Sequence, residues 1–373
     1  MSRTLQSDGA WRLRTVDQTL LPFEWRDIAL TSAESCREAI VAMRVRGAPL
    51  IGAVGAYGLA FALREDPSDA ALAAAIARLA SARPTAVNLA WALERVRRHA
   101  IVLEPSQRAT AAWQEAERLC DEDARCNLGI GELGAPLLRA AARAEPTLQR
   151  PLQVLTHCNA GRLATIDHGT ALAPLYALHA AGVPIHVWVD ETRPRNQGAS
   201  LTAWELARAG VPHTVLADNA GGLLMMRGEV DVAITGCDRV AANGDVANKI
   251  GTYLKALAAA DNQVPFYVAC PISTLDTSTV DGAAIEIEYR SAREVTHARG
   301  RLPDGAIAEV ALMDESVRAL NPGFDITPAR LVTALITERG VVAANREAIA
   351  DIVAGRGART PGAREHTRPE DRR

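Results

Sequence analysis

Apolar and polar positions follow two different rhythms along the chain. Up to about residue 145 the apolar residues recur at helical spacing. The uncharged run between Arg46 and Arg64 is Gly-rich and carries Pro49. It falls short of the roughly 20 residues of a membrane span and predicts a buried helix entered through a turn. Asp66-Pro67-Ser68 stands before a long Ala/Leu/Ile stretch that ends near Arg83-Pro84, a start and stop pattern for a further helix. Helical stretches follow over Val87–His99 and from about Ser106 to Asn127. Residues 11–30 are less periodic and predict short strands.

The rhythm changes beyond Ala144-Glu145-Pro146. Short apolar runs appear at Leu152–Thr156, Ile185–Asp190, His213–Ala217, Val230–Thr235 and Phe266–Cys270. Helical stretches separate them near Gly169–Ala181, Ala199–Ala209, Gly221–Arg227 and Val246–Ala260. Buried strands alternating with helices predict an α/β fold with a parallel sheet and right-handed crossovers. The expected organisation is a mainly helical N-terminal domain over 1–145, a parallel-sheet domain over 146–350 and a disordered tail over 351–373. The tail is expected from its Arg, Gly, Pro and Glu content.

Composition narrows the function classes. The 373 residues are 48% hydrophobic and 23% charged, which is enough for a sizeable core. Lys and Arg number 41 against 44 Asp and Glu, for a net charge of −3. No global basic field is present to hold nucleic acid. The N-terminus has no apolar segment of signal-peptide type. The 6 cysteines form no CxxC pair, so reduced thiols in a cytoplasm are expected.

In an open parallel sheet, ligands bind beyond the carboxyl ends of the strands. The segments found there are His157-Cys158-Asn159-Ala160-Gly161, Glu191 to Gly198, Asp218 to Gly222, and Gly236-Cys237-Asp238-Arg239 followed by Asn243-Gly244-Asp245 and Asn248-Lys249. All are polar or Gly-rich, which suits a crevice for a polar small molecule. Phosphate is the expected anchor. Arg46-Gly47-Ala48-Pro49 opens the apolar helix with the composition of an anion-binding turn, and Lys249 is read at the start of another helix. The bland alternatives are a solvated turn for Arg46 and a helix surface for Lys249.

No GxxxxGK[ST] loop, no GxGxxG after the first strand and no GxSxG elbow is present. Cys158 and Asp238 make a candidate proton-transfer pair. Against that stand a buried, inert thiol for Cys158 and a salt bridge to Arg239 for Asp238. His157, Cys158, Cys237 and Asp238 lack the short paired spacing of zinc ligands, so no metal is expected.

Several stretches together carry a family resemblance. They are Arg46-Gly47-Ala48-Pro49-Leu50-Ile51-Gly52, Arg83-Pro84-Thr85-Ala86-Val87-Asn88-Leu89, Leu155 to Gly161, Asp190-Glu191-Thr192-Arg193-Pro194, Gln197-Gly198-Ala199, Gly236 to Thr252, and Asn321 to Pro328. The chain resembles the S-methyl-5-thioribose-1-phosphate isomerases of methionine salvage from about Trp11 to Ala350. The resemblance implies a homodimeric aldose–ketose isomerase without a cofactor, with a helical N-terminal domain and a Rossmann-like C-terminal domain. It implies catalytic roles for Cys158 and Asp238. It implies substrate binding by Arg46, Gly47, Ala48, Arg83, Gln197, Asn248 and Lys249. The departures are Cys237 in place of a small Ala, Asn196 in place of an apolar residue, and the Ile285–Arg290 segment. The same fold resembles non-catalytic regulatory subunits of an initiation-factor exchange complex. Isomerases of 5-deoxyribose 1-phosphate or ribose 1,5-bisphosphate are alternatives that keep the chemistry.

Overall fold

A computed structural model describes residues 3–9, 11–84, 86–142 and 150–356. The chain opens with an antiparallel sheet of β1 (Leu5–Ser7), β2 (Leu13–Val16) and β3 (Asp27–Leu30). Helices α1 (Ala33–Val41), α2 (Ala48–Glu65), α3 (Asp69–Ala80), α4 (Val87–Ile101) and α5 (Pro105–Ala140) follow. Ser32 closes a capping box at the start of α1, and the Ser68 hydroxyl accepts from Ala71 N to start α3. Helix α2 is buried almost throughout and packs between α4 and α5 in the first apolar core. Its small residues let those neighbours come close.

The 36-residue α5 runs well beyond Asn127, where the sequence pattern ended it. Glycines at 129, 131 and 134 and Pro136 read locally as a helix stop. In the structure Gly131 and Gly134 share one face of the helix, and Gly129 faces Glu338 on another. A Cβ on Gly131 would meet the Ala173 backbone at 3.2 Å, and one on Gly134 would meet the Pro174 ring at 2.6 Å. Tertiary contact therefore overrides the local breaker signal.

The second half continues with β4 (Leu152–Thr156), α6 (Ala173–Ala180), β5 (Ile185–Asp190), α7 (Ala203–Arg208), β6 (His213–Leu216), α8 (Ala220–Met226) and β7 (Val232–Thr235). Next come β8 (Arg239–Ala241), β9 (Val246–Lys249), α9 (Thr252–Asp261), β10 (Phe266–Ala269) and β11 (Leu275–Asp276). The chain ends with α10 (Arg293–Thr296), β12 (His297–Arg301), β13 (Ile307–Ala311), β14 (Phe324–Thr327), β15 (Ala334–Thr337), β16 (Gly340–Val342) and α11 (Arg346–Val353). A seven-stranded sheet has the order β16-β15-β10-β7-β4-β5-β6, parallel except for β16. One face packs on Ile130 and Leu138 of α5 and on Leu175 of α6. The other packs on Ala256 of α9 and Ile349 of α11.

From β4 the chain moves outward through β5 to β6, then returns to place β7 on the other side of β4. The gap between the carboxyl ends of β4 and β7 is a topological switch point, where open α/β sheets bind ligands. A four-stranded sheet, β11-β8-β9-β14, is built from the segments after β7 and beyond.

That sheet corrects one expectation. Residues 246–249 form strand β9, not the start of a helix, because β8 and β14 flank them with antiparallel hydrogen bonds. The expected boundary around residue 145 lies outside the described residues. Residues 351–353 complete α11, so a tail over 351–373 begins too early; residues 357–373 lie outside the described part.

Candidate active site

Strands β4 and β7 deliver Cys158 and Asp238 into one cleft of about 710 Å³. Helix α2 points its N-terminus at the same space through Gly47, Ala48 and Pro49, and Gly47 has no side-chain cap. The positive end of the helix dipole and its free N–H groups favour an anion there. Arg46, Arg83, Gln197, Asn248 and Lys249 complete the walls. The structure thus brings together every site residue chosen from the sequence.

Each side chain is held from behind. Arg46 is 7% exposed and donates to the Asn159 carbonyl at 2.7 Å and to the Asn159 Oδ1. Asn159 in turn donates to Glu205 at 2.8 Å, and Glu205 also accepts from Arg162 N and the Tyr176 hydroxyl. The loop after β4 is therefore wired to a buried carboxyl on α7. Lys249 lies on β9 rather than on a helix surface. Its Nζ donates to the Gly323 carbonyl at 2.8 Å and sits 4.6 Å from the Phe324 ring centroid. Burial pulls the pKa values of Arg46 and Lys249 down, while Cys158 and Asp238 push both back up. Arg83 binds Glu288 at 2.9 Å, and its Nε is buried without a partner.

Cys158 is turned into the cleft by a backbone φ of 66°. Its thiol donates to Gln197 Oε1 at 3.4 Å, and its N–H donates to Thr192 Oγ1 at 2.9 Å. Burial raises the thiol pKa, against the opposing fields of Arg46 and Lys249. Asp238 behaves alike: burial raises its pKa, and Lys249, Arg83 and Arg46 oppose the rise. The rise moves the Asp238 carboxyl towards the working range of a proton carrier, whereas the same cause holds the Cys158 thiol in its proton-bearing form. Arg239 turns away to Asp276, at 3.6 Å, so Asp238 is not tied up in the salt bridge weighed against it.

Sequence reasoning missed Arg290, Phe324, Asn159 and Met43 as cleft residues. Asn159 and Phe324 lay inside quoted motifs and Arg290 ended the departing Ile285–Arg290 segment, whereas Met43 carried no local signal. Asn196 lines a neighbouring cavity with Met43, Arg46 and Gln197 rather than the cleft itself. Among the described residues, the donors grouped closely enough for a metal are His157, Asp190 and Asp218, not the quartet of His157, Cys158, Cys237 and Asp238. Lys255 already brings an ammonium to 3.3 Å from Asp190 there.

A second cavity of about 570 Å³ adjoins the cleft, sharing Gly47, Ala48, Arg83, Asp238 and Phe324 with it. Its other walls are Ile51, Ala86, Val87, Arg239, Ala247, Ile285, Glu286 and Ile287. Asp238 thus stands between a cationic cleft and a mixed chamber with an isoleucine-rich wall.

Residues 44–344 match the model of the initiation factor 2 subunit family. The chain belongs to this family. Within it, a methylthioribose-1-phosphate isomerase of Acidiphilium cryptum is 56% identical over 351 residues, which is 93% of this chain and 95% of that one. The crystal structure of 5-methylthioribose 1-phosphate isomerase from Pyrococcus horikoshii superposes with a TM-score of 0.81 at 36% identity, covering 95% of this chain and 96% of its own. The delta subunit of translation initiation factor eIF-2B from A. fulgidus gives a TM-score of 0.77 at 38% identity, covering 95% and 100%. The family fold, a helical N-terminal part joined to a largely parallel sheet, is the one described above.

Proposed function

We propose that this family member is an aldose–ketose isomerase converting 5-methylthioribose 1-phosphate into 5-methylthioribulose 1-phosphate, a step of methionine salvage. The observation that carries the reading is the position of Asp238 between the cationic cleft and a cavity walled in part by Ile51, Ile285 and Ile287. A sugar 1-phosphate can place its phosphate in the cleft and an apolar 5-substituent against that isoleucine wall. The names of the isomerases from A. cryptum and P. horikoshii support the same substrate.

The reaction sets a specific problem. The anomeric oxygen carries the phosphate, so the ring cannot open to a free aldehyde while the ester survives. The ring oxygen must be protonated as it leaves, and a hydrogen must move from C2 to C1. In one route a base removes the C2 proton, the ring C–O bond breaks to an enol phosphate, and C1 is reprotonated as the C2 hydroxyl gives up its proton to leave the ketone. In the other, hydride passes from C2 to C1 as the C2 hydroxyl loses its proton. Carbon oxidation levels are exchanged within the substrate, so neither route consumes a redox cofactor.

Asp238 is assigned as the leading acid/base group, with Cys158 as the second proton carrier or a stabiliser of the transition state. Arg46, Arg83, Lys249 and the α2 N-terminus hold the phosphate, while Gln197 and Asn248 bind the sugar. The isoleucine wall of the second cavity takes the methylthio group.

A turnover assay on pentose 1-phosphates differing only at C5 tests the reading. The methylthio sugar should turn over best and the 5-deoxy sugar measurably. Preference for a 5-phosphorylated sugar sinks the assignment. Absence of turnover on the whole panel favours a non-catalytic role, the reading that the initiation-factor neighbour supports. The reading includes a homodimer in a cytoplasm, the first checked by analytical ultracentrifugation and the second by cell fractionation. Among the described residues no helix is long and apolar enough to cross a membrane.

A further inference from the structure

The carboxyl ends of β4 and β5 enclose a group of polar side chains to which the proposed chemistry assigns no role. His157 is 1% exposed and Asp190 is fully buried. The His157 Nδ1 lies 2.8 Å from Asp190 Oδ2, and its Nε2 lies 2.8 Å from the Ile250 carbonyl. A carbonyl only accepts, so Nε2 carries a proton and donates it. The other contact shares a proton between ring and carboxyl. Lys255 from α9 approaches the same Asp190 oxygen at 3.3 Å, and the Asp218 carboxylate lies within 4.8 Å of both His157 and Asp190. Asp325 on β14 closes the far side, accepting from Gly251 N at 2.7 Å.

We propose that His157 is a positioning residue: gripped by Asp190 on one side and the Ile250 carbonyl on the other, it fixes the Cys158 thiol and the Lys249 ammonium relative to one another.

Two arms lead away from the ring. On the first, Cys158 N–H donates to Thr192 Oγ1 at 2.9 Å, and that hydroxyl donates to the Asp190 carbonyl at 3.0 Å. Residues 157 and 158 are thus both tied to the 190–192 segment. This double tie holds Cys158 at its φ of 66°, a conformation that persists in a non-glycine residue when neighbours over-determine it.

On the second arm, Ile250 follows Lys249 directly. Ile250 N and Lys249 Nζ both donate to the Gly323 carbonyl, at 3.2 Å and 2.8 Å. The imidazole pushes this turn from below. Gly251 has a φ of 103°, and a Cβ there would fall 2.9 Å from His157 Cε1. The ring is therefore a spacer between the loop that bears the thiol and the turn that bears the ammonium.

The inference rests on the isomerase reading for its kinetic readout, and the arms can be cut separately. An asparagine amide nitrogen reaches the Nδ1 position, and a glutamine amide nitrogen reaches the Nε2 position. His157→Asn keeps the Asp190 arm and releases Lys249. Its KM for 5-methylthioribose 1-phosphate should rise about tenfold, the effect of weakening one charge-assisted hydrogen bond, with kcat little changed. His157→Gln keeps the Ile250 arm and releases Cys158. Its kcat should fall about 100-fold, the cost of a small misplacement of a reacting group, with KM little changed. Should His157→Asn fold poorly, Gly251→Ala pushes on the ring from the Lys249 side and should also raise KM while sparing kcat.

Equal losses in both His157 variants, in proportion to lowered melting temperature, overturn the proposal in favour of plain structural support. An inert wild-type enzyme breaks the isomerase reading and leaves the second arm testable with inorganic phosphate. The dissociation constant should then be weaker for His157→Asn than for His157→Gln, and equal values overturn the proposal.

Discussion

At the polar end of the cleft, Arg46, Gln197, Asn248 and Lys249 are each less than a tenth exposed, and each is held by hydrogen bonds. In the adjoining cavity, Ile51, Ala86, Val87, Ile285 and Ile287 offer apolar surface beside the charged Arg239 and Glu286. The first region aims donors that cannot turn away, so a misfit there costs directed bonds. The second offers shape, so a misfit there costs only area removed from water. Strong demands on the reacting end can therefore coexist with weak demands at C5. A hydrophobic pocket separates close homologues by about 1–3 kcal/mol, whereas an unpaired buried polar group is rejected far more strongly.

The contrast is broken most severely by changing the group that stands between the two regions. Asp238→Asn keeps the size of the side chain but cannot exchange a proton at working pH. It should lower kcat by roughly 10²–10⁴-fold, the usual contribution of general acid–base catalysis. Cys158→Ser should act in the same direction. Melting temperature should change little in both, because neither side chain holds the core. A folded Asp238→Asn enzyme with near-normal kcat would falsify the assignment. The pH profile adds a sign: burial raises the Asp238 pKa. The limb it controls should therefore lie above the ordinary carboxylate range and disappear in the variant.

Next in size are the anchors of the polar end. Lys249→Ala and Arg83→Ala should each weaken substrate binding by about 1.5–3 kcal/mol, roughly a factor of 10 to 150. Calorimetric titration with the substrate in the Asp238→Asn background separates this from turnover. Unchanged binding in both would leave these residues only their structural contacts, to the Gly323 carbonyl and to Glu288.

At the isoleucine wall of the second cavity, Ile287→Asp should reduce the preference for 5-methylthio over 5-hydroxy sugars by about 10–200-fold. Its effect on kcat with the hydroxy sugar should be small. If both substrates suffer equally, the two regions are not separable and the contrast fails.

The effect smallest on catalysis lies outside the cleft. Burial raises the Asp123 pKa to about 7, despite hydrogen bonds from Ile166 N and Asn127. Its unfolded pKa is near 3.8. The folded chain therefore retains a proton that the unfolded chain loses between these values, and stability falls as pH rises through that window. Above about pH 7 the penalty is constant. Asp123→Asn should flatten this part of the melting-temperature profile and leave catalysis unchanged.

Much of the parallel sheet was legible because its strands are continuous apolar runs bounded by polar turns. Residues 152–156 and 185–190 emerge with the expected bounds. Strand β9 was not legible, since Val246-Ala247-Asn248-Lys249 acquires its identity from partners at 239–241 and 324–327. The site followed the same division. Cys158 and Asp238 could be placed by the rule that ligands gather at strand ends. Arg83 and Gln197 stood out only through motif resemblance. The isoleucine wall of the second cavity joins Ile51 to Ile285 and Ile287 from distant parts of the chain, and no local pattern carries that information.

The glycine stripe on α5 has a consequence for inheritance. Because Gly131 and Gly134 lie directly on Ala173 and Pro174 of α6, that long helix and the sheet layer share one mould. A chimera joining the first 128 residues of one relative to the remainder of another keeps both sides of the mould from a single parent. A crossover between residues 140 and 170 takes them from different parents and tolerates no bulk on either side. Natural exchange among such chains should leave its breakpoints on the near side of the stripe, with residues 131, 134, 173 and 174 travelling together.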